Sequence, residues 1–139
     1  IGILPTLGMS EKKRSQAGHM IGFDKASEVM KPGYYAVTLA DGIRVELTSS
    51  ERAAIFRFTF PSDAKPVLLL DLDHRLEGEI AAADVTLAES GFDAHVRHLG
   101  NMSERAGGYD LFARGLLDVT PTAVGTASRI VTAQAAAIA

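Results

Sequence analysis

The stretch Lys31-Pro-Gly-Tyr-Tyr-Ala-Val-Thr-Leu-Ala-Asp-Gly-Ile-Arg-Val-Glu-Leu-Thr-Ser-Ser-Glu-Arg-Ala-Ala-Ile-Phe-Arg-Phe-Thr-Phe-Pro61 decides the fold. After the Pro32-Gly33 turn the hydrophobic pattern has a period of two, which is the period of a strand. Tyr35, Val37 and Leu39 share one face, and Ile43, Val45 and Leu47 share one face of the next strand. A two-residue Asp41-Gly42 turn would set Leu39 opposite Arg44 and Val37 opposite Glu46. A three-residue loop, Ala40-Asp41-Gly42, instead pairs Leu39 with Ile43, Val37 with Val45 and Tyr35 with Leu47. That register keeps the apolar face whole and puts Gly42 at the left-handed position such a loop needs. Beyond it, Ala54, Phe56, Phe58 and Phe60 share a face and read as core, with Arg57 and Thr59 pointing the other way.

Outward from this segment, residues 1–8 read as a short strand ending at Gly8. Residues 9–33 are polar and read mostly as loop, with one helical turn over Asp24–Met30 stopped by Pro32-Gly33. Val67–Leu72 is apolar on both faces and predicts a central, doubly covered strand. Asp84–Ala88 and Phe92–Leu99 predict a hairpin around Glu89-Ser-Gly91. Tyr109–Val119 reads as a long strand and Thr126–Ala133 as a last one. The tail from Ala133 to Ala139 has helical composition but is too short to hold a helix alone. Eight or so short strands with regular turn signals and no convincing helix predict an all-β, antiparallel β-sandwich. No internal repeat or linker interrupts it.

Bulk composition excludes several functions. The 139 residues make one domain or part of one, with 47% hydrophobic and 22% charged residues and a net charge of −3. Lys12-Lys13-Arg14 is the only cationic run, too short for a nucleic-acid face. No apolar run approaches the roughly 18 residues of a membrane span. With no cysteine there is neither a disulfide framework nor thiol chemistry. The ends, Ile1-Gly-Ile-Leu-Pro and Ala133-Gln-Ala-Ala-Ala-Ile-Ala139, read as cuts through a longer protein.

Few constellations suggest chemistry. Asp71 and Asp73 are two apart on a strand, so their carboxylates share a face, with Glu77 and Glu79 following. Glycoside hydrolysis needs such a pair about 5–9.5 Å apart, yet the arrangement reads more simply as a solvated strand end. Nothing there has the spacing of a calcium loop. His95 and His98 fall on opposite faces of a strand and cannot chelate one ion, and His19 and His74 read as surface or satisfied polar residues. No serine has a nucleophile-elbow context. Gly100–Gly108 reads as a wide loop. Tyr34, opposite in face to Tyr35, is the better candidate for an exposed, sugar-stacking aromatic.

The segment quoted first resembles the PGYY-x-V-x-L…E-L-T-x-x-x-R…R-(F/Y)-T-F-P pattern of the amino-terminal domain of glycoside hydrolase family 92. Ile3-Leu-Pro-Thr6, Phe23-Asp-Lys-Ala-Ser-Glu28, Val67–Leu72 and Arg105-Ala-Gly-Gly-Tyr109 followed by Phe112-Ala-Arg114 resemble other family stretches in the right order, over most of residues 1–118. Asp24 and Lys25 stand where the family has a small residue and a histidine. The resemblance implies a galactose-mutarotase-like supersandwich, incomplete at both ends, spanning 1–139 as part of an amino-terminal domain. It implies an inverting exo-α-mannosidase whose acid, base and Ca²⁺ belong to a helical domain outside this sequence, so no catalytic residue and no metal ligand is assigned here. Glu28, Tyr34 and Arg52 match family positions and become candidates for sugar contact or the domain interface. The implied partners are α-mannoside glycans and the helical domain of the same chain, and the implied location is secreted or periplasmic. The alternative is a non-catalytic sandwich that binds carbohydrate or a protein.

Overall fold

A computed structural model describes residues 1–127 and 130–134. Among these the strands are β1 (Gly2–Leu7), β2 (Phe23–Lys31), β3 (Tyr34–Leu39), β4 (Arg44–Ser49), β5 (Ala54–Thr59), β6 (Pro66–Asp71), β7 (Glu79–Ala88), β8 (Gly91–Leu99), β9 (Tyr109–Leu116), β10 (Ala123–Ala127) and β11 (Ile130–Gln134). One helical turn, α1 (Asn101–Glu104), and two 3₁₀ turns, Glu11–Arg14 and Gln16–His19, interrupt them. The strands form three antiparallel sheets in the orders β1-β6-β11-β10, β2-β3-β4-β5 and β7-β8-β9.

The β3–β4 hairpin has the register its pattern demands. Tyr35 faces Leu47 and Val37 faces Val45. The Leu39 N–H donates to the Ile43 carbonyl at 2.8 Å, closing the three-residue loop. Gly42 sits at φ +86°, where a side chain would be strained.

Strand β6 lies between β1 and β11 and is covered on both faces, as its unbroken apolar run requires. Leu70 and Leu72 pack with Ile80, Ala94 and Val96, and Ile1, Ile3 and Phe92 border them. This cluster joins the β1–β6 layer to β7–β8 and is the sandwich core. Val67 and Leu69 point the other way, against Leu4 and Met9.

Four expectations are corrected. Residues 23–31 form strand β2, neither loop nor helical turn. Its polar composition is that of a sheet edge, and its register shifts between Asp24 and Val29. Across that bulge the Asp24 carboxylate accepts the Ala26 N–H, and the Ser27 hydroxyl oxygen accepts the Thr38 N–H at 2.8 Å. Side chains thus take over bonds the ladder has lost. The last strand is two: β10 and β11 pair with each other, and β11 pairs with β6. The proposed tail over Ala133–Ala139 runs beyond Gln134 into residues outside those described. The third correction shortens Tyr109–Val119 to Tyr109–Leu116 and lengthens the β7 half of its hairpin back to Glu79. Finally, the phenylalanines of β5, and Phe60 just after it, are not core. Phe56 is 41% exposed, and Phe58 and Phe60 are half-buried. Strand β5 is a sheet edge, so alternation puts these rings on one face without supplying a layer to cover them.

Candidate functional site

Three polar constellations stand out, and each follows from strand geometry.

The first holds two of the sequence-derived candidates. Glu28 of β2 accepts a hydrogen bond from the Tyr35 hydroxyl at 2.9 Å and pairs with Lys25. The Lys25 ammonium, and then the Tyr35 hydroxyl, hold its carboxyl below the usual range. Tyr34 leaves the opposite face of β3 and donates to Glu46 at 2.5 Å, which raises the phenol above its ordinary value. Arg52 lies in the loop after β4, solvated, with Glu51 at 4.0 Å. Glu28 and Tyr34 therefore occupy opposite faces of one sheet, and the carboxylate beside Arg52 is that of Glu51.

The second is the outer face of β7–β9, which sequence reading passed over. Facing triplets alternate across it: Asp84 opposite His95 opposite Phe112, and Thr86 opposite Asp93 opposite Arg114. These residues line a shallow concavity of about 450 Å³. Arg114 grips Asp93 with two bonds, 2.6 and 2.9 Å. His95 donates from Nε2 to Asp110 at 2.7 Å, has Asp84 at 3.5 Å from Nδ1, and stacks on Phe112 with ring centroids 4.6 Å apart. Phe112 remains 73% exposed. An exposed ring among carboxylates, a guanidinium and an imidazole has the chemistry to meet a sugar: an apolar face for the pyranose and polar groups for its hydroxyls. The signal was present in the period-two spacing of His95 with Asp93 and of Phe112 with Arg114. Only the register showed that they meet.

The Asp110 carboxylate, and to a lesser degree Asp84, pushes the His95 imidazolium above its usual pKa despite some desolvation. A raised folded-state value means that this interaction stabilises fully below the unfolded value of about 6.5 and is lost as pH rises through the higher folded value. Proton NMR titration of His95 should show this upward displacement, and Asp110→Asn should reduce it. A His95 titration unmoved by Asp110→Asn would contradict the pairing.

The third constellation is His19, Asp71 and His74, which offer ligand atoms all within 4.8 Å of one another. Asp71 and Asp73, read as a possible carboxylate pair, are differently occupied. Asp71 is 3% exposed and accepts the Asp73 N–H on Oδ1 at 2.9 Å. Asp73 pairs with Arg75 at 2.7 Å. Calcium requires six to eight oxygen ligands. One carboxylate facing two imidazoles and the other held by a guanidinium do not fit that ion.

Comparison with known proteins places this architecture. The chain matches the model of the glycosyl hydrolase family 92 N-terminal domain over residues 1–137. It is 38% identical, over an 85-residue alignment covering 54% of this chain and 11% of the relative, to an uncharacterized secreted glycosidase of Arthroderma benhamiae. Its fold is similar to that of a family GH92 α-mannosidase from Bacteroides thetaiotaomicron, also solved with mannoimidazole, with a TM-score of 0.78 at 18% identity. A family GH92 inverting mannosidase of the same organism gives 0.51 at 15%. The first comparison covers 96% of this chain and 21% of the other, and the second covers 95% and 21%. The chain thus spans about a fifth of those structures and a ninth of the curated relative. With the three antiparallel sheets of the fold and a family match running over nearly its whole length, the chain belongs to the glycosyl hydrolase family 92 N-terminal domain family.

Proposed function

We propose that this chain is the amino-terminal sandwich of an enzyme that hydrolyses α-mannosides with inversion, working with a helical domain that carries the acid, the base and Ca²⁺. The observation that carries this reading is the family match over residues 1–137. The solved α-mannosidases of similar fold support it, as does the secreted glycosidase relative, which also favours a secreted or periplasmic location. Among the described residues no helix is long and apolar enough to cross a membrane. The sandwich contributes an interface and part of the sugar site. Glu28, Tyr34 and Arg52 are candidates for that role, and the exposed Phe112 and Leu116 on the outer face of β9 suit a covering domain or a glycan.

The test is hydrolysis of an aryl α-mannoside by the full-length protein, followed by NMR of the first anomer released. β-Mannose as the first product, with activity lost to a chelator and restored by Ca²⁺, is expected. Release of α-mannose would refute inversion. Full-length protein that binds mannosides without cleaving them would favour a binding module.

A further inference from the structure

We propose that His19, Asp71 and His74 form a binding site for a zinc-type divalent cation, which staples the segment 11–19 to the end of β6.

The position of one proton sets the site. His19 Nε2 lies 3.0 Å from the Lys13 carbonyl oxygen. A carbonyl only accepts, so Nε2 carries the hydrogen. In the neutral ring this leaves Nδ1 bare, and Nδ1 lies 3.3 Å from Oδ2 of Asp71. Two lone pairs then face each other inside the protein, which is unfavourable unless a positive charge stands between them. His74 turns its own Nδ1 toward the same oxygen at 3.7 Å. The other Asp71 oxygen is already bonded to the Asp73 N–H, so Oδ2 is the one left for the histidines. A ring that gives one N–H to a backbone carbonyl and aims its other nitrogen at a shared point is the usual setting of a metal-binding histidine.

The surroundings hold this geometry. Asp71 closes β6, paired with Gly2 on one side and Ile130 on the other, so the carboxylate is fixed by a sheet. A side chain at Gly2 would begin 3.1 Å from the His74 ring, so glycine leaves that ring its place. At Gly18 a Cβ would fall 1.8 Å from the Lys12 carbonyl oxygen, so glycine alone lets the 3₁₀ turn close and deliver His19. Donors bound at zinc distances in a tetrahedral shell lie about 3.4 Å apart. The two Asp71–His separations are close to this. His74 is the adjustable member, with its side chain 45% exposed. Two imidazoles and a carboxylate suit zinc-type ions better than calcium or magnesium. In a tetrahedral shell the fourth ligand would be water, which the exposure of His74 lets in.

The experiment uses the full chain, free of any affinity tag and stripped with a chelator. Zn²⁺ is titrated by calorimetry and Co²⁺ by visible absorption. One ion per chain should bind at this site, with the intense visible bands of four-coordinate Co²⁺. His19→Ala and His74→Ala should each weaken binding at least 10–100-fold, the range seen when even supporting groups of metal sites are removed. His74→Ala changes a half-exposed residue and should leave the fold intact, so a folded His74→Ala protein with undiminished Zn²⁺ affinity would overturn the proposal. So would the absence of stoichiometric binding to the wild type, which would mean that a proton on His19 supplies the charge.

Discussion

Separated from any further domain, the 139-residue chain is expected to hydrolyse aryl or oligosaccharide α-mannosides at no more than the background rate. Glycosidases need one carboxyl to protonate the leaving oxygen and a second to activate water or attack, both open to the sugar. The pair Asp71 and Asp73 does not meet that need. Asp71 is buried against two histidines, and Asp73 is held by Arg75. On the outer face of β7–β9, Asp93 is gripped by Arg114 and Asp110 by His95 and Arg97. Enzymes exceed the uncatalysed rate by at least about 10⁶-fold, so under the proposed function the full-length protein and the folded isolated chain are expected to differ by that order. Mannose release by both proteins, normalised to folded protein, measures it. Turnover by the isolated chain that disappears in Asp71→Asn or Asp73→Asn would reverse the assignment of catalysis to another domain.

The second large effect concerns the strand that organises the fold. Leu69→Ala should destabilise the domain by about 2–5 kcal/mol, the range for deleting a fully buried leucine. Leu69 is 0% exposed, in the middle of β6. It faces Leu4 across β1 and packs with Val67, Leu4 and Met9. Both neighbouring strands are hydrogen-bonded to β6, so the backbone has little freedom to close the cavity. Against a typical domain stability of about 5–15 kcal/mol, that loss is a large fraction. Leu76→Ala is the control. Leu76 is 97% exposed and should change stability by no more than about 0.5 kcal/mol. Urea unfolding of the two variants compares them directly. Equal midpoints would show that β6 is not the centre of the core.

Legibility of the fold tracked how local the cause of each element was. The β3–β4 hairpin depends on a period of two and on one residue, Gly42, able to hold φ +86°. Both are properties of adjacent residues. Strand β6 was equally plain, since a strand that carries Val67-Leu-Leu-Leu must be covered on both faces to bury it. Edge elements gave no such signal. Strand β2 is a sheet edge among the described residues and polar in composition, and its bulge hides any alternation. The break between β10 and β11 falls in a run of small and polar residues, with no glycine or proline between Ala127 and Ile130 to mark it.

By itself, the sequence determined the antiparallel all-β class, the register of the central hairpin, the buried strand and, through its PGYY segment, the family. Tertiary structure alone decided which polar groups meet. His19 reaches Asp71 because a 3₁₀ turn folds back over the end of β6, and Phe112 lies beneath His95 because β8 and β9 share one register. A strand's face is written in its own alternation. A side chain's partner depends on how distant segments are brought together, and the burial that does this is summed over the whole core.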